Sequence, residues 1–166
     1  DLGLPVLEEV APRREDDVDV VLCPTFTALD TVAKAIAGSK VAMGAQDCYW
    51  EEKGAFTGEI APSMLKDAGC TFVIIGHSER RQYFGETDAT INKKAKALYA
   101  AGLTPIICVG ETLEEREAGK MQAVIETQVR GTLAGLEADK VAASVIAYEP
   151  VWAIGTGKTA SKEQAQ

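Results

Sequence analysis

His77 is the only histidine of the chain, and it lies in the segment FVIIGHSERR, residues 72–81. The four apolar residues before Gly76 predict a buried strand, so His77 is expected where that strand ends. A histidine in this place can simply satisfy a turn, or it can be a catalytic group at the rim of a sheet. If Ser78 begins a helix, the positive helix end favours the neutral imidazole, which can donate a hydrogen bond to a carbonyl oxygen.

Glu149 lies at a second predicted strand end, in the segment AYEPVWAIGTGKTAS, residues 147–161. Pro150 stops the strand because it removes a backbone donor. The simplest interpretation of a lone glutamate here is an ordinary residue at the point where a strand passes into a loop. A carboxylate close to an apolar core is also suited to act as a general base. Taken together, Glu149 and His77 predict abstraction of a proton from a carbon next to a carbonyl group.

The segment after Glu149 predicts a lid over a ligand. It is unusually apolar for a loop, and Gly155 and Gly157 give its backbone freedom. The letters GTGKT within it suggest a phosphate-binding loop, but that pattern requires a glycine where Trp152 stands. Lys158 is therefore expected to be a hinge or surface residue.

Five β-rich apolar runs alternate with helical stretches, which predicts an α/β fold. Nearly continuous apolar runs are typical of parallel strands covered on both faces. By pattern alone, five βα units fit an open doubly wound sheet as well as part of a (β/α)₈ barrel. The runs occupy residues 18–22, 40–45, 71–75, 105–109 and 144–148.

Several residues mark helix ends between these runs. Thr27 with Asp30, and Thr112 with Glu115, have the spacing of a capping box. Pro62 suits a first helical position, and glycines 38, 69 and 102 suit helix ends. Helices are predicted over residues 88–101 and 121–136. The first eleven residues resemble a helix tail and Ser161 a helix start, so we expect residues 1–166 to form a single, incomplete domain.

Composition excludes some classes of function. The chain has 17 Lys and Arg against 25 Asp and Glu, a net charge of −8, which argues against a nucleic-acid surface. No apolar run is long enough to cross a membrane. The four cysteines form no CxxC pair and one histidine makes no zinc site, so free thiols in a reducing cytosol and no metal are expected.

Five segments together resemble the triosephosphate isomerase family, in the right order and over essentially the whole chain. The stretch around Glu149 is the most specific of them. The segments are CPTFTALD, GAQDCYWEEKGAFTGEI, FVIIGHSERR, PIICVGETLEERE and YEPVWAIGTGKTAS. The resemblance implies a (β/α)₈ TIM barrel, a cytoplasmic glycolytic and gluconeogenic isomerase of triose phosphates, and no cofactor.

The resemblance also implies residue roles. Glu149 matches the base, His77 the electrophile and Glu79 the acid that supports the histidine. This family is itself the standard example of a glutamate base paired with a neutral histidine, so the pairing is no independent discovery. Gly155 matches a backbone donor to the phosphate. The lid is then formed by Pro150, Val151, Trp152, Ala153, Ile154, Gly155, Thr156, Gly157 and Lys158.

Thr57 and Phe56 match a loop that enters the partner subunit in the family homodimer. The family's first-strand asparagine and lysine have no counterpart here, nor do its last two strands. We therefore expect the 166 residues by themselves to be inactive. The alternatives are a non-catalytic barrel fragment that serves assembly or partner binding, and another phosphate-binding barrel enzyme.

Overall fold

The computed structural model describes residues 19–157 and 159–161. These residues divide into two compact units. Unit 1 comprises residues 19–74 and 97–104, and unit 2 comprises residues 75–96, 105–157 and 159–161. Each unit is described by itself.

Unit 1 is built on parallel strands that pair in chain order. Strand β1 (Val21–Leu22) pairs with β2 (Ala42–Ala45), and β2 pairs with β3 (Phe72–Ile75). A 3₁₀ turn (Phe26–Ala28) leads into helix α1 (Leu29–Ile36), and α2 (Pro62–Asp67) precedes β3. The core of this unit is apolar and almost fully buried, with Leu29, Val32, Met43, Leu65 and Val73 among its members.

Unit 2 contains the helices that follow β3. These are α3 (Ser78–Tyr83) and α4 (Asp88–Ala101), whose last residues, 97–101, are assigned to unit 1. Strand β4 (Thr104–Val109) follows, and then α5 (Leu113–Glu117), α6 (Met121–Leu133) and α7 (Ala138–Ala142). Strand β5 (Val145–Tyr148) pairs in parallel with β4, with Cys108 opposite Ala147, and a 3₁₀ turn (Val151–Ala153) comes after it.

Most predicted helix ends are confirmed. Helix α4 has the predicted bounds, Pro62 is the first residue of α2, and Thr112 forms a capping box with Glu115. Gly38 has a positive φ of 79° just after α1, a conformation that glycine adopts at little cost. The four cysteines are free, as expected.

Other expectations were wrong. Thr27 does not cap a helix, because it lies inside the 3₁₀ turn and α1 begins only at Leu29, after Ala28. Helix α6 ends at Leu133 rather than at residue 136, and Gly135 has a positive φ of 69°. Helix α7 was not predicted, since a single turn carries too little periodicity to be recognised.

Four of the five strands are shorter than the predicted apolar runs, whereas β4 begins one residue before its run, and β5 is not covered on both faces. Val145 and Ile146 are 43% and 45% exposed. Within unit 2, β5 has a described partner along one edge only, which is β4. The predicted helix tail in residues 1–11, the first residue of the 18–22 run and most of the helix start after Ser161 lie outside the described residues. Within the described part of the chain, no helix has both the length and the apolar character of a membrane span.

Candidate active site

Gly76 turns the chain from β3 into α3 and so places His77. Its φ is +72°, and a Cβ at this position would lie 2.9 Å from Ile91 Cδ1 and 3.3 Å from the Cys108 carbonyl oxygen. Both the conformation and the close contact require glycine. His77 is then the N-terminal capping residue of α3, which begins at Ser78 as the sequence suggested.

The structure brings His77 and Glu149 together. His77 Nε2 lies 2.7 Å from Glu149 Oε1, and the two side chains are 31% and 14% exposed. The residues are 72 positions apart in sequence, but both lie in unit 2, and each follows the end of a strand, β3 and β5 respectively. Carboxyl ends of parallel strands are where ligand sites of α/β proteins are built.

Hydrogen bonds define which nitrogen of His77 carries the proton. The backbone N–H of Glu79 donates to Nδ1 over 3.3 Å, so Nδ1 is an acceptor. The ring proton is then on Nε2, where it donates to Glu149. The Glu79 carboxylate lies 3.6 Å from Nδ1, in a largely exposed position beside the ring. The geometry is that of a neutral imidazole presenting one N–H.

Glu149 is also held by the start of helix α3. The Ser78 N–H donates to Glu149 Oε2 over 3.0 Å, and Ser78 Oγ lies 3.4 Å from Oε1. The Glu149 backbone N–H donates to the Val109 carbonyl over 2.7 Å, which continues the pairing of β5 with β4. A carboxylate is favoured at a helix N-terminus because free N–H groups and the helix dipole meet it there.

A cleft of about 560 Å³ opens beside this pair. The residues that contribute to its wall include Ser78, Glu149, Trp152, Thr112 and Gln128. Both carboxylate oxygens of Glu149 therefore hydrogen-bond to residues at the cleft and can exchange those partners for a ligand. The arrangement can remove a proton with Glu149 while His77 donates to a neighbouring oxygen.

Glu111 is a second carboxylate that the sequence did not single out. It is fully buried, and Tyr148 OH donates to both of its oxygens at 3.0 and 3.1 Å. Trp152 Nε1 donates to Oε1 over 2.9 Å and Arg116 Nη1 over 2.8 Å. Burial by itself disfavours ionisation, but hydrogen bonds from Arg116, Trp152 and Tyr148 outweigh it and hold the pKa of Glu111 below its ordinary value.

The same cluster affects its other members. Burial and the hydrogen bond to Glu111 raise the pKa of Tyr148. The Arg116 guanidinium lies 4.6 Å from the centre of the Trp152 ring, in a cation–π arrangement. The first turn of the predicted lid is thus anchored to Glu111. The only sign of Glu111 in the sequence was its place directly after an apolar strand and a glycine.

The predicted lid begins as a 3₁₀ turn over Val151–Ala153. Gly155 and Gly157 have positive φ angles of 68° and 73°, and a Cβ on either would meet nothing within 4 Å. Both positions therefore favour glycine because of the backbone conformation, and not because a side chain would lack space. Thr156 Oγ1 donates to the Trp152 carbonyl over 2.9 Å. Lys158, the last residue of the predicted lid, lies outside the described residues.

Thr57 and Phe56 belong to unit 1, in the long connection between β2 and α2. Phe56 is 40% exposed, and its ring centre lies 4.8 Å from that of Tyr49, which in turn lies 4.1 Å from Trp50. The aromatic residues of this loop therefore form a packed, partly exposed group. In the part of the chain that the structure describes, no three His, Cys, Asp or Glu side chains are grouped as metal ligands.

Comparison with known proteins gives a consistent result. The family model described as triosephosphate isomerase matches residues 4–166. A triosephosphate isomerase of Trichlorobacter lovleyi is 60% identical over 163 residues, covering 97% of this chain and 65% of that protein. One from Geobacter metallireducens is 62% identical over 154 residues, covering 93% and 61%.

A solved structure agrees with these relatives. The crystal structure of triosephosphate isomerase from Bartonella henselae has a TM-score of 0.79 and 38% identity, and the match covers 88% of this chain and 58% of that one. These comparisons confirm the prediction of a TIM-type barrel. The alternative, an open doubly wound sheet, is not supported. The chain spans 61–65% of the length of the first two relatives.

Proposed function

The chain belongs to the triosephosphate isomerase family, and on that premise we propose that the protein interconverts dihydroxyacetone phosphate and D-glyceraldehyde 3-phosphate. This reaction is a step of glycolysis and gluconeogenesis. The observation that carries the proposal is the 2.7 Å contact between His77 Nε2 and Glu149 Oε1, which follow the ends of β3 and β5. A base and a hydrogen-bond donor lie side by side there, as the reaction requires.

In the proposed mechanism the Glu149 carboxylate removes a proton from C1 of dihydroxyacetone phosphate. The electrons of the C1–H bond form the C1–C2 double bond, and the carbonyl oxygen on C2 takes up negative charge as an enediolate. The Nε2–H of His77, which donates to Glu149 in the structure, turns to donate to that oxygen. His77 gives its Nε2 proton to the oxygen on C2 and takes the hydroxyl proton from the oxygen on C1, so the negative charge moves to that oxygen. The charge on the C1 oxygen then forms the aldehyde C=O bond, while the electrons of the C1–C2 double bond take the proton back from Glu149 to make the C2–H bond.

Nearby groups support these two. Glu79 holds the imidazole, because its backbone N–H makes Nδ1 an acceptor. A Cβ on Gly155 would meet nothing within 4 Å, so there is room beside its backbone for a phosphate to approach when the lid closes. Moving a proton between adjacent carbons requires no electron acceptor, so the proposal includes no cofactor.

We extend the proposal to a cytoplasmic homodimer that takes a small triose phosphate and binds neither nucleic acid nor membrane. The partly exposed aromatic loop with Phe56 and Thr57 supports an interface, since aromatic residues are enriched in interface cores. The net charge of −8 disfavours nucleic acid. Sedimentation checks the dimer: Phe56→Glu with Thr57→Glu is expected to give monomers, and an unchanged sedimentation coefficient would contradict it.

The catalytic test uses a chimaera in which this chain replaces the 163 matched residues of the Trichlorobacter lovleyi relative. Isomerase activity is measured in a host-free preparation. Glu149→Gln is expected to lower kcat by ~10² to 10⁴, the usual contribution of a general base. Glu117→Gln, an exposed glutamate on α5, is the matched control and should change little.

Two results would contradict the proposal. One is a folded chimaera without isomerase activity, which would favour a non-catalytic role in assembly. The other is near-normal turnover of Glu149→Gln. The 166-residue chain is assayed beside the chimaera and is expected to be at least about 10²-fold slower, because phosphate and oxyanion donors act together in such sites.

A further inference from the structure

Gln128, in the middle of helix α6, holds both backbone groups of one residue. The Gly110 N–H donates to Gln128 Oε1 over 2.8 Å, and Gln128 Nε2 donates to the Gly110 carbonyl over 3.0 Å. Both bonds are partly buried. A primary amide is suited to this because it presents one acceptor and one donor side by side. The amide thus fixes the peptide of Gly110 immediately after β4 ends at Val109.

Gly110 lies directly against the backbone of Glu149. A Cβ built on Gly110 would lie 1.7 Å from the Glu149 carbonyl oxygen and 2.8 Å from its carbonyl carbon. At such a distance the two backbones are in contact, and neither can move towards the other. The Glu149 N–H is held by the residue before Gly110, since it donates to the Val109 carbonyl over 2.7 Å. The place of the Glu149 backbone is therefore set by residues 109 and 110.

We propose that Gln128 is a positioning residue for Glu149. Its amide fixes Gly110, and Gly110 fixes where the Glu149 backbone stands with respect to His77. The proposal rests on the proposed function in that it takes Glu149 to be the base. Gln128 also contributes to the wall of the cleft beside Glu149, but the argument depends on its bonds to Gly110 and not on contact with a ligand.

The physical consequence concerns geometry more than stability. Without the amide, the Gly110 N–H and carbonyl lose their partners and the turn after β4 can rotate. A shift of about 1 Å in a reacting group can cost ~10² in rate, even when the substituted residue is remote from the chemistry. A residue that only ties α6 to the strand would instead lower the unfolding temperature and leave the kcat of folded protein unchanged.

The first measurement uses NMR on the 166-residue chain and needs no activity. Gln128→Met keeps the length of the side chain and removes both hydrogen bonds. We expect faster hydrogen exchange at the Glu149 amide, by about tenfold or more, and a changed ¹⁵N shift of His77 Nε2. Gln122→Met, on an exposed position of the same helix, is the matched control and should change neither signal.

The second measurement is kinetic and uses the chimaera. Gln128→Met is expected to lower kcat about 10-fold to 100-fold, while KM stays within about threefold. Gln128→Glu keeps the acceptor for the Gly110 N–H but sets a carboxylate oxygen against the Gly110 carbonyl. Gln128→Glu should therefore lower kcat by less than Gln128→Met does. It also tests the proposal if the methionine variant fails to fold.

The NMR and the kinetic measurements together separate this proposal from the proposed function on which it rests. Unchanged Glu149 exchange and His77 shift in the folded variants would overturn the positioning role, as would an unchanged kcat. If the chimaera with native Gln128 has no activity, the isomerase proposal fails and the NMR arm alone decides. A perturbed Glu149 amide and His77 ring then still support the positioning of Glu149 by Gln128.

Discussion

Replacing Trp152 by phenylalanine should weaken the fold by a predictable amount. The indole N–H donates to the fully buried Glu111 carboxylate over 2.9 Å. A hydrogen bond to a charged group contributes about 1.5–3 kcal/mol. Glu111 keeps Tyr148 and Arg116 as donors, so we expect the lower end, about 1.5 kcal/mol. In a chain of this size that corresponds to a fall in Tm of ~3–6 °C.

A double-mutant cycle in the 166-residue chain attributes the loss to this bond. Glu111→Gln is made with and without Trp152→Phe, and the free energy of unfolding is measured with urea. If the indole stabilises the protein through the charge of Glu111, the two changes are coupled by about 0.5 kcal/mol or more. Additive effects would show that Trp152 acts through packing alone, and the hydrogen-bond argument would be refuted.

The pH dependence gives a second check on the same pair. The folded-state pKa of Glu111 lies below its ordinary value of 4.5, because hydrogen bonds outweigh the cost of burial. A carboxyl group of this kind stabilises the fold fully above its unfolded-state pKa and loses that effect as pH falls through the folded-state value. The difference between the native protein and Glu111→Gln should therefore be constant near neutral pH and shrink below about pH 4.5. A difference that grows as the pH falls would contradict this.

Three further predictions concern single positions. Gly110→Ala should destabilise the chain by about 3 kcal/mol or more, because the new Cβ would clash with the Glu149 backbone. Gly38 has a positive φ but open space around it, so Gly38→Ala should cost only about 1–2 kcal/mol. Urea unfolding measures both losses of stability, and equal losses would refute the clash. His77 should show an unprotonated Nδ1 and a protonated Nε2 in ¹⁵N NMR at neutral pH, and a doubly protonated ring would contradict the assigned hydrogen bonds. Thr112→Ala should cost about 1 kcal/mol by removing the capping box, against a smaller loss for the mid-helix Thr127→Ala; a smaller effect at Thr112 would count against the cap.

Local signals predicted some elements well and failed where competing local structure intervened. Helix α4 was placed correctly because Asp88 opens it and Gly102, with a φ of 76°, follows its end. Thr112 and Thr27 are each followed three residues later by an acidic residue, Glu115 and Asp30, but only Thr112 forms a capping box. Around Thr27 the chain makes a 3₁₀ turn instead, and the Ala28 N–H donates to the Thr25 carbonyl. A four-residue pattern cannot distinguish these outcomes, since both satisfy the backbone groups.

The candidate site likewise contains residues that the sequence predicted and one that it could not predict. His77 and Glu149 were predicted because each comes just after an apolar strand, and the structure brings the two side chains together. Gln128 could not be predicted, because nothing in a mid-helix glutamine indicates that it bonds to Gly110, 18 residues earlier. Contacts of that kind depend on how a helix packs beside its strand. Sequence patterns report burial and chain direction, but not which side chain meets which backbone group.

The two carboxylates that follow strand ends have different surroundings, which suit them to different tasks. Glu111 follows β4 and is fully buried among three side-chain donors, so taking up a proton would forfeit bonds that hold the lid's first turn. Glu149 follows β5, borders the cleft and is held by His77 and Ser78, groups that border or adjoin the same opening. A base must exchange partners during a reaction, and only Glu149 has partners that a ligand can replace. Burial beside fixed donors therefore makes Glu111 an anchor, whereas access to the cleft suits Glu149 to proton transfer.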